Sequence, residues 1–129
     1  MWQDFAKYIL NETKNRKVKI AEVGIGRFIL ISEILEKQDN ITLIKTDINP
    51  ADPTVIKDDI TNPDLELYRD VDIIYSIRPP SELQPYLARL ADEIGCQLII
   101  KPLTNEDLNT GKAKMKLKNF KKASFYILR

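Results

Sequence analysis

In "EVGIGRF" an acid and two glycines stand at alternate positions: Glu22, Gly24 and Gly26. They end an apolar run, Lys19 to Val23, that reads as a buried strand. Glycines at a strand's end let backbone amides approach a ligand that a Cβ would push away. The helix that follows adds a dipole favouring negative charge. Asp47 comes 21 residues after Gly26, closing the next apolar run. At that distance a carboxylate accepts hydrogen bonds from both hydroxyls of a ribose. Asp58 and Asp59 end a third run, and Asp59 stands where the base of a nucleoside would lie. Ser76, Arg78 and the Pro79-Pro80 pair end a fourth, and Lys101 with Pro102 ends a fifth.

Two cofactor classes compete for this pattern. A dinucleotide fingerprint, Gly-x-Gly-x-x-Gly, requires a third glycine at position 29, where the chain has Ile29. An acid two residues ahead of Gly24 sits badly beside a pyrophosphate and well beside an ammonium or sulfonium charge. Glu22 therefore favours S-adenosylmethionine over a nicotinamide dinucleotide. Arg78 and Lys101 read in two ways: they bind the phosphate or carboxylate of an anionic substrate, Arg in a bidentate manner, or they neutralise the acids of the cleft. Asp47 and Asp59 carry a second reading as turn residues beside Asn49-Pro50 and Thr61-Asn62. Asp58 reads equally as a solvated partner of a lysine. Tyr75 and Ser76 lie on a central strand, and neither is assigned a role.

Other chemistry is excluded. The chain has no histidine, so a Ser-His-Asp triad and histidine proton shuttling are ruled out. Cys96 is the only cysteine, which rules out an internal disulfide and a cysteine metal cluster, and no metal site is expected. Cys96 itself reads as a small buried hydrophobe at a strand's amino end. No apolar run is long enough to span a bilayer and the first residues lack a signal-peptide core, so the expected setting is cytoplasmic, without membrane.

Residues 1–100 carry 12 basic and 17 acidic side chains; residues 101–129 carry 8 and 2. A basic end of this kind suits nucleic acid or phosphate. Its lysine row has no interleaved aromatic platform, however, and reads as edge protection against strand pairing, so nothing in it supports nucleic acid.

The elements that must position these groups follow from periodicity. Trp2, Phe5, Ala6, Ile9, Leu10 and Thr13 recur at helical spacing and predict an opening helix. From Arg27, the residues Phe28, Ile31, Ile34 and Leu35 mark a second helix. Strands are predicted at Ile41 to Asp47, in "TVIKDDI", at Val71 to Ile77 and in "CQLIIKPL". Asn62 and Pro63 suit an N-cap and first helical position, predicting a short helix through Tyr68. A longer one follows "RPP", with Leu87, Leu90, Ala91 and Ile94 as its core face and Gly95 as its stop. Lys112, Lys114, Lys116 and Lys118 alternate with Ala113, Met115 and Leu117 as a half-exposed strand, and "SFYIL" returns beside it. Strand and helix in alternation mean a mostly parallel sheet, here ending in an antiparallel hairpin, in one α/β domain spanning residues 1–129. Ligands of such sheets bind at the carboxyl ends of the strands, where strand order reverses.

"EVGIGRF", "TDIN", "DDI", "SIRPP" and the terminal hairpin, in that order, resemble class I S-adenosylmethionine-dependent methyltransferases. More closely, "EVGIGRF", "YSIRPP-E" and "IIKPLT-ED" resemble a small archaeal group, uncharacterised protein family one hundred and forty-six. The resemblance implies a Rossmann-like, methyltransferase-type three-layer sandwich. It would put Gly24 and Gly26 under the methionine moiety and Asp47 on the ribose. Asp59 would lie near the adenine amino group, with Ile60 packing on the ring. Phe28 stands where the methyltransferase pattern has a third glycine, and "RPPS" where amino-group methyltransferases carry Asn/Asp-Pro-Pro-aromatic. The expected function is binding of S-adenosylmethionine or a related nucleoside, with methyl transfer as the activity the resemblance implies. The alternatives are a non-catalytic nucleoside- or anion-binding module and, disfavoured by Ile29 and Glu22, a nicotinamide-dinucleotide-binding protein.

Overall fold

The computed structural model describes residues 2–102 and 114–128. Along β1 (Val18–Val23) every side chain is buried or half-buried, as in a strand covered on both faces. Its period of two sorts the side chains. Ile20 joins a core cluster with Phe5, Ile9, Ile31 and Leu35, whereas Ala21 and Val23 join another with Tyr68, Leu87 and Leu98. The first cluster lies under helices α1 (Trp2–Glu12) and α2 (Leu30–Glu36), and the second under α3 (Gln84–Ile94) and a single 3-10 turn, Leu65–Tyr68. Helical layers on both faces of one sheet make the three-layer α/β sandwich.

The remaining strands are β2 (Ile41–Asp47), β3 (Ile56–Lys57), β4 (Ile73–Ile77), β5 (Gln97–Lys101), β6 (Lys116–Phe120) and β7 (Ala123–Leu128). They form one seven-stranded sheet in the order β3-β2-β1-β4-β5-β7-β6. The five strands from β3 to β5 are parallel, and β7 runs antiparallel to both β5 and β6. The chain first steps outward from β1 to β2 and β3, then returns to lay β4 on β1's other side. Strand order therefore reverses between β1 and β4, and a crevice opens at their carboxyl ends. No helix among the described residues is long and apolar enough to cross a membrane.

Several boundaries differ from the sequence expectation. α2 starts at Leu30 rather than Arg27, because Gly26 holds a positive φ of 58° and leaves Arg27 and Phe28 in the loop ahead of the helix. The helix expected from Asn62 shrinks to the 3-10 turn. Asp64 is the cap, its side chain accepting from Glu66 N at 3.1 Å, and Arg69 then turns extended (ψ 132°). The third strand keeps only two residues. Lys112 and Ala113 lie outside the described residues, and β6 is not half-exposed: Leu117 is 54% exposed, because β6 is the sheet's outermost strand. Cys96 is half-buried, and burial pushes its thiol up to about 11.

Candidate functional site

Each strand end at the β1–β4 crevice delivers the residues that follow it. After β1 the chain must turn sharply, and Gly24 (φ 71°) and Gly26 (φ 58°) supply the left-handed conformations. A Cβ on Gly24 would lie 3.9 Å from Ser76 Oγ, an ordinary contact, so conformation and not crowding demands glycine there. Gly26 N donates to Asp47 Oδ2 at 2.7 Å, and Asn49 N donates to Asp47 Oδ1 at 2.9 Å. The Asp47 carboxylate thus ties the glycine loop to the end of β2. Each of its oxygens keeps a further lone pair.

These elements enclose a cavity of about 450 Å³, within the usual range for small-molecule sites. Val23, Gly24, Asp47, Asp58, Asp59, Ile60, Arg78, Pro79 and Leu87 are among its lining residues. At its wall, Asp59 Oδ1 accepts from Thr61 N (2.9 Å) and Thr61 Oγ1 (2.7 Å), and these bonds hold its carboxyl below the usual carboxylate range. Asp59 Oδ2 has no hydrogen bond among the described residues. Ile60 supplies an adjoining apolar surface.

The cavity wall also holds Tyr68, Thr46 and Ser76, to which the sequence pattern assigns no role. Tyr68 donates its hydroxyl to Asp58 Oδ2 at 2.9 Å and lies 3.1 Å from Thr46 Oγ1. Burial, the largest cause, raises the Tyr68 pKa, so the phenol stays protonated. Ser76 Oγ donates to Val23 O at 2.8 Å. The signal for Thr46 and Ser76 was strand parity: both share the sheet face of Val23. Tyr68 carried no comparable signal, since it arrives on an irregular turn. Asp58 is not the lysine partner considered for it; it accepts from Tyr68 and from Asp64 N at 3.0 Å.

The structure brings Gly24, Asp47, Asp59, Ile60 and Arg78 together around this cavity and leaves Glu22, Gly26 and Lys101 out of its lining. Glu22 points to the opposite sheet face, because it shares Ile20's parity on β1. There it is 1% exposed, and Oε1 accepts from the Tyr75 hydroxyl at 2.5 Å while Oε2 has no partner among the described residues. Burial pushes its carboxyl up to about 8, against the lowering effect of the Tyr75 hydrogen bond. Glu22 therefore puts no carboxylate into the cavity. The acidic character comes instead from Asp47, Asp58 and Asp59, set against the single lining cation, Arg78. Such a balance favours a cationic ligand over a pyrophosphate. Phe28 turns away from the cavity: its ring lies 4.7 Å from that of Trp2, on the α1 face.

Residues 2–129 match the model of a family described as Uncharacterised protein family (UPF0146). The chain belongs to that family. UPF0146 proteins similar to it come from Methanothermobacter thermautotrophicus, 45% identical over 98% of this chain and 93% of the relative, and from Methanocaldococcus jannaschii, 41% identical over 96% and 91%. Another, from Archaeoglobus fulgidus, is 32% identical over 90% of this chain and 88% of its own. Among solved structures, the chain resembles a SAM-dependent methyltransferase from Aquifex aeolicus (TM-score 0.62, 12% identity, 96% of this chain and 89% of that one). It also resembles magnesium protoporphyrin IX methyltransferase from Synechocystis PCC 6803 with bound SAM (TM-score 0.57, 13% identity, 98% and 75%). This member of UPF0146 thus has the Rossmann-like fold of the class I methyltransferases.

Proposed function

We propose that the cavity binds S-adenosylmethionine or a closely related adenine nucleoside, and that the domain works as a small methyltransferase. The observation that carries this reading is Asp47. Its carboxylate stands at the cavity edge at the end of β2, fixed by two backbone amides, with lone pairs left for a pair of ribose hydroxyls. Asp59 Oδ2 would accept from an adenine amino group, and Ile60 would pack on the ring. The excess of carboxylates in the lining suits a sulfonium and ammonium ligand. When bound, S-adenosylmethionine supplies an electrophilic methyl group. Displacement at that methyl depends mainly on alignment, so the absence of histidine is no obstacle. Magnesium protoporphyrin IX methyltransferase, a neighbour in fold, is described with bound SAM, which supports the same reading.

Isothermal titration with S-adenosylhomocysteine and 5′-methylthioadenosine tests it. Both should bind the wild-type chain, and Asp47→Asn, which exchanges one acceptor oxygen for a donor, should weaken both by roughly tenfold or more, about 1.4 kcal/mol. No heat at high protein concentration, or equal affinities in the variant, would remove the reading.

A second reading, a module that holds the nucleoside without transferring its methyl, is favoured by Arg78. This residue follows β4 at the cavity, and a guanidinium cannot accept a proton from an acceptor amine.

A further inference from the structure

Two cations at neighbouring strand ends, Arg78 after β4 and Lys101 on β5, have no carboxylate partner among the described residues. Lys101, the last residue of β5, is 6% exposed. Among the described residues its ammonium has one hydrogen-bond partner, the carbonyl of Pro102, at a long 3.5 Å. Burial lowers its pKa. Arg78 is exposed, lines the cavity and likewise makes no ion pair among the described residues. The two are tied through the backbone, Arg78 N donating to Lys101 O at 2.7 Å.

Both cations rest on the same aromatic shelf. The Arg78 guanidinium carbon lies 5.1 Å from the Phe28 ring centroid and 5.7 Å from that of Trp2, and Lys101 Nζ lies 5.6 Å from the Trp2 centroid. Ring faces attract cations but do not discharge them. Arg78 also holds a φ of 53°, which a side-chain-bearing residue keeps only when its surroundings impose it. A buried ammonium without an anionic partner is costly. An incoming anion relieves that cost and also the repulsion between the two like charges.

We propose that Arg78 and Lys101, carried on the Trp2–Phe28 shelf, form an oxyanion site that takes a carboxylate or phosphate group at the mouth of the nucleoside cavity. Arg78 offers two parallel N–H donors to the anion and Lys101 a point charge behind it. The anion is either the acceptor's acidic group or the carboxylate of the cofactor's own amino-acid tail. This deepens the nucleoside-binding reading and rests on it for the ligand's identity, while the anion site itself is tested without any nucleoside.

Trp2 is the only tryptophan, so its emission reports the site directly. Pyrophosphate and malonate are titrated into the full chain at fixed ionic strength, with chloride as the balancing salt. The expected result is a saturable change in Trp2 emission with either anion, weakened at least tenfold in Arg78→Gln. Lys101→Met should weaken it comparably, and the exposed Arg78 variant decides the matter if burial makes the lysine variant unstable. No saturable response, or equal affinity in Arg78→Gln with unchanged circular dichroism, overturns the site. Pre-saturation with S-adenosylhomocysteine then separates the two sources. Competition with pyrophosphate that 5′-methylthioadenosine, lacking the carboxylate, does not reproduce assigns the site to the cofactor tail; undiminished anion binding assigns it to the acceptor. Loss of 5′-methylthioadenosine binding alone would strike the nucleoside reading and leave the anion site standing.

Discussion

Burying Glu22 removes its carboxyl from water, and the one hydrogen bond it receives, from Tyr75, does not offset that loss. With a folded-state pKa pushed up to about 8 from an ordinary 4.5, the folded chain keeps a proton that the unfolded chain has released. Between those two pH values the native state binds more protons, so stability falls as pH rises and levels off above about 8. Without histidine, no other side chain has an ordinary pKa inside that window, and Cys96, raised by burial from 9.0 to about 11, adds a loss of its own only as pH passes 9. Urea unfolding from pH 5 to 9 should therefore show a loss of a few kcal/mol for the wild-type chain, and a nearly flat profile for Glu22→Gln. A wild-type profile that is itself flat would mean that Glu22 remains ionised in the folded chain. The same residue shows why spacing alone misplaced it. "Glu-x-Gly" puts an acid two residues ahead of the glycine turn, but the face it takes depends on whether it shares parity with Ile20 or with Val23.

The loop between β1 and α2 is the element where sequence pattern and fold interact most closely. Phe28 interrupts the glycine pattern of the methyltransferases, and an aromatic ring there has two places to go: into the cavity or onto α1. It goes onto α1, because Trp2 offers a ring 4.7 Å away and the first core cluster backs both. Phe28→Ala should accordingly cost about 1–2 kcal/mol in unfolding free energy, the value of a half-buried ring, and leave the affinity for 5′-methylthioadenosine unchanged. Tighter nucleoside binding in that variant would mean that the ring occupies the cavity. Elements with a strong period were legible in the sequence. The near-continuous apolar run ending at Ile77 is β4, and Asp47 does end β2. The short ones were not, because local hydrogen bonds decide them: Asp64 outcompetes Asn62 as a cap, and the "TVIKDDI" strand pairs with β2 over two residues only. Tyr68 was hidden for the same reason, since it reaches the cavity from that irregular turn.

At the scale of the molecule, the first helix and the last strand close on each other. Phe5 meets Phe125 at 5.2 Å and Tyr75 at 6.1 Å, Tyr8 meets Phe125 at 4.7 Å, and Lys122 N donates to Asp4 across 118 residues of chain. The sheet face under α1 and α2 is thus completed only when both ends of the described chain are in place, with Tyr75 of the central strand between them. The cavity belongs to the other face, under α3 and the 3-10 turn. Stability and binding should then be separable by substitution. Phe125 is fully buried, so Phe125→Ala should cost about 3–5 kcal/mol. Because its contacts span the sequence, that loss should appear as one earlier transition, with far-UV circular dichroism and Trp2 emission still coincident. Below that transition the variant should bind 5′-methylthioadenosine as the wild type does, since no lining residue touches Phe125 in the core clusters. Two separated transitions would show that the hairpin melts on its own. In that case α1 would be docked by its packing on α2, β1 and β4 without the hairpin, and the closing of the two chain ends would not be what holds the fold together.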